Sequence, residues 1–532
     1  MEADYVIIGA GSAGCVLANR LSADGAQVVL LEAGPRDLHP WIHIPAGVLK
    51  LLYNPLINWM YASEPDAKTG NRAIHWPRGR VLGGTSSING MLFVRGNPAD
   101  YDAWAQMGCR GWTYADCLPH FKSMESYAPG DDAHRGKDGP LRIEDYRTTL
   151  PLTHRFIEAA QQAGHALVKD LSGAKPADGV GYSQMSRNGR FRGSTAQTFL
   201  RQARGRSNVR IITDAVALRL VVDGKRCTGV HYDRQGLRQT VTARREVIVS
   251  SGSVNSPHLL QVSGIGPAAH LKSIGVDVVH DLPGVGANLS DHYATRISHR
   301  VKNAVSINEL ARGVKLVGEV AKFMTTGRGA LTFGVSSAQC FTRSREGVEA
   351  PDIQLLFSPA SYDPTKFGEL ERKPGVTIAV SIARPRSRGT IMATSADPFE
   401  RPVINPNYLA DPDDLRVALA GLAQARKIFA QPAFAQNSDG EICPGPQAQS
   451  ETALADYIRA TGTTIYHPVG TCKMGDDPLA VVDSRLRVRG LTGLRVIDAS
   501  IMPAVTTGNT NAPTIMIAEK GASMMLEDAR AG

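Results

Sequence analysis

The sequence predicts an α/β protein built on a Rossmann-like dinucleotide-binding domain with a separate substrate block, and three observations carry that reading. The chain opens with strand, glycine-rich turn, helix and second strand in that order. A second glycine cluster follows near residue 80, and residues 295 to 460 carry strand and helix patterns with no nucleotide signal.

The opening unit justifies itself residue by residue. Tyr5, Val6, Ile7 and Ile8 form a strand-like run that enters Gly9, Ala10, Gly11, Ser12, Ala13 and Gly14. Residues 15–21 read as a helix, and residues 27–31 as a second strand ending at Glu32. Gly9 permits the tight turn, Gly11 lets backbone N–H groups approach a pyrophosphate, and Gly14 lets helix and strand pack closely. The helix N-terminus adds partial positive charge beside the phosphates. Glu32, 18 residues past Gly14, is placed to accept both ribose hydroxyls, and an acid there discourages a 2′-phosphate. NAD or FAD remains.

Residues 45–77 show little regular pattern, and prolines at 45, 55 and 65 exclude a long amphipathic helix. The apolar stretch 46–52 with Trp59 and Tyr61 reads as a loop packed over the ligand rather than a membrane-lying segment. Residues 79–89 hold Gly79, Arg80, Gly83, Gly84, Thr85, Ser86, Ser87, Ile88 and Asn89, paired glycines beside hydroxyls. Such a backbone suits close approach to a flat or phosphorylated ligand, and equally an ordinary loop. Between 208 and 250, alternating runs at 209–213, 216–222, 228–232 and 246–250 predict a meander returning to the nucleotide sheet. Residues 252–262 read as a helix with Pro257 in its first turn, stopped near Gly264. Asp291 and His292 end a glycine-containing loop. In the substrate block, 376–382 and 390–394 read as strands, and Asp413 and Asp414 introduce a helix with Leu415, Leu419, Leu422, Ala425 and Phe429 on one face. The tail carries Tyr466, His467 and Pro468, then a strand-like run to Asp498, then residues 508–513 leading into a last helix from near Pro513.

Composition narrows the function classes. With 42% apolar and 20% charged residues, 532 residues describe a folded multidomain enzyme rather than a disordered chain. Fifty-nine Lys and Arg against 50 Asp and Glu give a net charge of +9, but the basic residues are scattered, so no nucleic-acid partner is expected. Seven cysteines without a C-x-x-C pair read as reduced thiols, and no metal site is expected. A strand beginning at Tyr5 leaves no secretory leader, and no run of 18 apolar residues spans a membrane. A cytoplasmic protein is expected.

These motifs together resemble the glucose–methanol–choline (GMC) oxidoreductases, FAD-dependent enzymes that oxidise alcohols. Residues 79–102 are similar to the family's first signature and 252–266 to its second. Glu32, Asp291-His292, Tyr466-His467-Pro468, residues 498–500 and 509–513 extend the match from residue 4 to about 520. Within the family the chain most resembles bacterial alcohol and polyethylene glycol dehydrogenases, and more distantly choline dehydrogenases. The resemblance implies an α/β class, α+β overall: a Rossmann-like FAD-binding domain plus a substrate domain carrying a mainly antiparallel β-sheet. The expected segments are 1–150, 201–295 and 461–532 for the FAD-binding domain, and 151–200 and 296–460 for the substrate domain.

The resemblance also assigns roles. Gly9, Gly11, Gly14 and Glu32 are expected at the ADP half of FAD. Gly83, Gly84, Asn89 and Met91 are expected at the pyrophosphate and isoalloxazine, Val216 at the adenine, and Asp498 at the ribityl–phosphate region. Ser12, Ala13, Ala33, Arg80, Ser87, Gly90, Ala499, Asn511 and Thr514 complete the expected cofactor contacts. His467 matches the catalytic histidine, and Asn511 is expected as its partner. Where some members carry a histidine that links FAD covalently, this chain has Ile88, so a non-covalent FAD is expected.

The chemistry is consistent with those roles. Flavin N5 accepts a hydride, a near-neutral histidine takes the hydroxyl proton, and an amide orients the substrate oxygen. The expected reaction is oxidation of a primary alcohol to an aldehyde, with electrons passed to a quinone or another non-oxygen acceptor. The alternatives are an oxidase producing hydrogen peroxide, a choline dehydrogenase and a redox-neutral lyase. No carboxylate assignable to a quaternary ammonium appears in 295–460, which favours a neutral primary alcohol. The basic surface adds an expectation of peripheral contact with the inner membrane, where a quinone resides. No pattern sets an oligomeric state.

Overall fold

The computed structural model describes residues 1–531 apart from 147, 175–176 and 364–367. Among the described residues, the first of two seven-stranded sheets runs in the order Val209–Ile212, Val28–Leu31, Glu2–Ile8, Leu237–Val249, Arg226–Arg234, Ala215–Asp223, with Leu494–Val496 also paired to Leu237–Val249. Its central strands are parallel and nearly fully buried, as expected when both faces are covered. Register brings Ile8 beside Leu31 and Val249, Leu31 beside Ile212, and Val249 beside Val496. Five strands therefore end along one edge, the place where open parallel sheets bind ligands. The helices Ser12–Ala23 and Asn511–Ala531 pack together, joined by an ion pair between Arg20 and Glu519 at 2.8 Å.

The second sheet is antiparallel throughout. Its order is Ser438–Cys443, Tyr293–Val301, Gly375–Ile382, Ile353–Ser358, Ala338–Thr342, Gly179–Tyr182, with Thr463–Thr464 beside Tyr293–Val301. Helix Pro412–Phe429 covers one face, burying Val417, Leu422, Ala425 and Phe429 against Ile353, Ile378 and Val380. Its start is set by Asp411, whose carboxylate caps the Asp413 N–H at 2.9 Å, with Pro412 in the first turn. The period of two leaves Leu356, Ser358, Thr377 and Ala379 on the other face, where they roof a cavity.

Several boundaries differ from the sequence reading for identifiable reasons. The strand expected at 246–250 runs from Leu237 to Val249, because polar alternation in its first half pairs with Arg226–Arg234 at the exposed end of the sheet. Pro257 is the sixth residue of its helix rather than a first-turn residue, since the helix starts at Gly252. Its missing N–H would orphan the Ser253 carbonyl, which instead accepts from the Thr471 hydroxyl at 2.7 Å. The final helix starts at Asn511, two residues before Pro513.

Candidate active site

A cavity of about 670 Å³ lies between the C-terminal edge of the first sheet and the free face of the second. At the nucleotide end, two glycine loops meet backbone to backbone. Gly9 has φ +97°, and a Cβ there would lie 2.5 Å from the Ser250 oxygen. Gly84 has φ +52°, and a Cβ there would lie 2.7 Å from the Cα of Gly11. Gly11 itself faces open space, its Cβ position no nearer than 4.0 Å to another atom, so a side chain there would fill the cradle rather than strain it.

Glu32 is buried at this end. Its carboxylate accepts from the N–H groups of Ala10 at 3.0 Å and Gly34 at 2.9 Å. Burial, opposed by those two bonds and by the nearby charge of Arg80, pushes its pKa up to about 7. Arg80 sits over Trp59 at 5.3 Å, and its Nε is buried without a hydrogen-bond partner. A buried carboxylate with spare lone pairs, an orphaned guanidinium N–H and a glycine cradle fit the ribose hydroxyls and pyrophosphate of a dinucleotide. The N-termini of Ser12–Ala23 and Asn511–Ala531 converge here, where the Ser12 hydroxyl donates to Asn511 Oδ1 at 2.8 Å. Asp498 accepts from the N–H of Gly252 and of Ser500, both at 2.8 Å, and from the Ser256 hydroxyl, fixing the walls beside Ala499.

Of the residues expected at the cofactor, Gly9, Gly11, Ser12, Ala13, Glu32, Ala33, Arg80, Gly84, Asn89, Gly90, Met91, Val216, Asp498, Ala499, Asn511 and Thr514 line this cavity. Gly14, Gly83 and Ser87 lie behind it. A Cβ on Gly14 would strike the Gly9 oxygen at 1.9 Å, and one on Gly83 the Ser87 hydroxyl at 2.3 Å. Ser87 spends its hydroxyl on the Leu82 carbonyl at 2.7 Å. These three shape the loops rather than touch a ligand. Ile88 lines the cavity and packs with Ile42, Leu51, Ile57 and Val81, an apolar anchor where a linking histidine would stand.

At the other end, His467 is held on three sides. Asp291 accepts from its backbone N–H at 2.8 Å, while the same carboxylate takes the hydroxyls of Thr464 (2.6 Å) and Tyr408. The Nδ1 atoms of His467 and His292 are 2.9 Å apart, and His292 Nε2 lies 3.0 Å from the Ala383 carbonyl oxygen. A carbonyl only accepts, so His292 carries its proton on Nε2 and offers Nδ1 as an acceptor. His467 then donates from Nδ1, which leaves its Nε2 as a free base facing the cavity. Burial, together with the charges of His292 and Arg78, holds the His467 pKa well below the ordinary histidine value. Burial likewise lowers His292 to about 4. Burial thus favours the neutral form of both rings.

The partner of His467 is a correction to the sequence reading. Asn509 Nδ2 lies 3.1 Å from His467 Nε2, whereas Asn511 binds Ser12 and makes no bond to the histidine. Asn511 is the first residue of the helix, and that turn carries its amide toward the glycine loop. His292 and Arg78 were also without assigned roles in the sequence. The Asp-His pair was visible, but its contact with His467 joins positions 175 residues apart.

Comparison with known proteins accords with this geometry. Profiles of the GMC oxidoreductase family match residues 3–294 and 385–518. An alcohol dehydrogenase [acceptor] of Pseudomonas putida is 42% identical over 531 residues, covering 98% of this chain and 95% of the relative. An oxygen-dependent choline dehydrogenase of Brucella canis is 43% identical over 534 residues, covering 99% and 96%. Among solved structures, pyridoxine 4-oxidase from Mesorbium loti superposes with a TM-score of 0.89 at 30% identity, covering 98% of this chain and 99% of that one. A formate oxidase variant of Aspergillus oryzae, studied for its FAD modification, superposes with a TM-score of 0.92 at 25% identity, covering 100% and 99%.

Proposed function

Since the chain belongs to the GMC oxidoreductase family, an alcohol-oxidising family whose cofactor is FAD, we propose that it oxidises a primary alcohol to an aldehyde and passes the electrons to a quinone or another non-oxygen acceptor. The observation that carries this reading is His467 Nε2 set beside the Asn509 amide at the cavity wall, its other ring nitrogen engaged by His292.

FAD, when bound, supplies the acceptor for the carbinol hydride. The protein's own residues do the rest. Asn509 Nδ2 donates to the Nε2 lone pair; an alcohol entering between them donates its hydroxyl proton to Nε2 and accepts from Asn509 Nδ2. His467 takes the proton as general base, and Asn509 stabilises the charge developing on oxygen. Asp291 fixes the histidine backbone and the Ala383–His292 pair fixes its tautomer, so the base needs no reorganisation. Gly9, Gly11, Glu32 and Arg80 are assigned to the nucleotide half of a non-covalent FAD, with Ile88 in place of a linking group.

Anaerobic mixing with a primary alcohol tests the reaction: the flavin spectrum should bleach, and in air the rate with a quinone or dye should exceed peroxide formation. Peroxide at the full turnover rate would instead identify an oxidase, and no bleaching would sink alcohol oxidation. Peripheral membrane contact is part of the same reading. Among the described residues no helix is long and apolar enough to cross a membrane. Helix Gly313–Thr326, however, buries only Phe323 and exposes Val314 (89%), Val317 (68%) and Met324 (63%) beside Lys315 and Lys322, the composition of an interfacial helix. Val317→Glu should reduce sedimentation with anionic vesicles; equal sedimentation of variant and parent would count against the contact.

A further inference from the structure

The face of the second sheet that roofs the cavity holds a buried amide behind the reacting groups. Register places Gln354, Ser381 and Ala294 in one row across three adjacent strands, next to the row of Leu356, Ala379 and Arg296 that lines the cavity. Gln354 itself stands off the cavity wall and is 0% exposed. An amide sealed into a sheet is unfavourable unless its hydrogen bonds are made, so its partners explain why it is tolerated.

Those partners form a line that ends at the base. Gln354 Nε2 donates to Gln339 Oε1 at 2.7 Å and reaches Asn509 Oδ1 at 3.5 Å, the outer limit of a hydrogen bond. Gln339, buried on the neighbouring strand, donates from Nε2 to the Ser183 hydroxyl at 3.3 Å. Asn509 Nδ2 carries the line on to His467 Nε2 at 3.1 Å. Gln354 Oε1 is buried without a hydrogen-bond partner, so this side chain acts through its nitrogen. The polarity of the line follows. An asparagine amide has a donor end and an acceptor end of nearly the same shape, and its neighbours decide which way it faces. With Gln354 Nε2 at the Asn509 oxygen, the Asn509 nitrogen is the end left for His467. Turned over, Asn509 would set donor against donor at Gln354 and present an acceptor where the developing oxyanion needs a donor. Turning Gln354 as well would set its oxygen against Gln339 Oε1, acceptor against acceptor.

We propose that Gln354 is a positioning residue for the reaction, holding the Asn509 amide with its donor toward His467 and the alcohol oxygen. It lies off the cavity wall and acts through Asn509 alone. The inference rests on the alcohol oxidation proposed above and adds the residue that orients its oxyanion donor. That donor counts most once negative charge develops on the oxygen, so losing its orientation should lower kcat and leave KM nearly unchanged.

The test is a double-mutant cycle, read as anaerobic flavin reduction by a primary alcohol in the FAD-loaded parent, Gln354→Met, Asn509→Ala and the double variant. Methionine is close to glutamine in length and supplies no donor. Gln354→Met should lower the limiting rate by about 3- to 10-fold, the scale of one neutral hydrogen bond, with the half-saturating alcohol concentration unchanged. In the Asn509→Ala background the same substitution should lower it by less than about twofold, because the group it orients is gone. Gln354→Met combined with Gln339→Leu removes both buried amides and keeps the test open if the single variant fails to fold. That pair should show the same loss in limiting rate at the FAD content of the parent. A limiting rate unchanged without Gln354 overturns this inference alone, and so does an equal loss with and without Asn509, which marks a structural effect only. Absence of bleaching by every alcohol in the parent overturns the proposed oxidation and this inference with it.

Discussion

Replacing Asn509 and Asn511 separately by alanine distinguishes the geometry found here from the assignment that the sequence suggests. Asn509 Nδ2 is 3.1 Å from His467 Nε2, so an alcohol oxygen bound to that nitrogen comes within reach of the amide donor. One preorganised donor to a developing oxyanion contributes about 2.7–4 kcal/mol, or roughly 10²- to 10³-fold in rate. Asn511 makes a neutral hydrogen bond at 2.8 Å to Ser12 and none to the reacting nitrogen. A bond of that kind is worth about 0.5–1.5 kcal/mol, and its loss acts on the cradle between the two helix N-termini. Asn509→Ala should therefore slow anaerobic flavin reduction at saturating alcohol by about 10²-fold or more with FAD content intact. Asn511→Ala, once fully loaded, should slow it less than tenfold while releasing FAD more readily on gel filtration. The assay is stopped-flow absorbance of the flavin, with FAD content measured on the same samples. If Asn511→Ala slows reduction as much as Asn509→Ala, or Asn509→Ala reduces at the parent rate, the positioning argument fails.

His292→Phe removes the acceptor for His467 Nδ1–H and with it the tautomer lock. Flavin reduction should fall about tenfold or more because neither tautomer of His467 is then enforced, with partial rescue by His292→Gln; reduction at the parent rate refutes the tautomer role. FAD affinity should depend on pH through Glu32, which burial pushes up to about 7 before the cofactor binds. Ribose hydroxyls donate to the ionised carboxylate, so below pH 7 a proton must leave on binding and affinity should weaken toward about tenfold per pH unit, levelling off above pH 8. Fluorescence titration of cofactor-free protein measures this, and affinity that strengthens with acid, or a slope that survives Glu32→Gln, contradicts it. Acid precipitation should release all yellow colour to the supernatant, since Ile88 offers no linking atom; flavin retained in the pellet would show a covalent bond elsewhere.

The nucleotide half of the molecule was legible because its signals are local. Strand, glycine turn, helix and acid occupy one stretch, and the structure closes it with bonds from Ala10 and Gly34 to Glu32 over short separations. The second sheet was only partly legible. Its strand at Gly375–Ile382 was expected, but Tyr293–Val301 and Ile353–Ser358 were not singled out, because cavity-lining Arg296 and Ser358 and buried Gln354 break the apolar patterns that announce strands. Polar residues buried inside a sheet obscure the pattern that would have located it.

The choice between the two asparagines shows the same limit at the scale of one side chain. In an extended segment, residues two apart face the same side, so Asn509 and Asn511 look interchangeable as partners for a histidine. What separates them is the helix boundary. Asn511 is already helical, and its amide is drawn to the Ser12 hydroxyl of a second helix that the linear sequence places 499 residues away. Asn509 remains in the preceding loop, where Gln354 from the second sheet approaches its oxygen and leaves the nitrogen aimed at His467. The amide that reaches His467 is thus selected by contacts from the first helix and the second sheet, neither of which is adjacent in sequence. Motif spacing finds the pair, and only the assembled fold decides which member reaches the base.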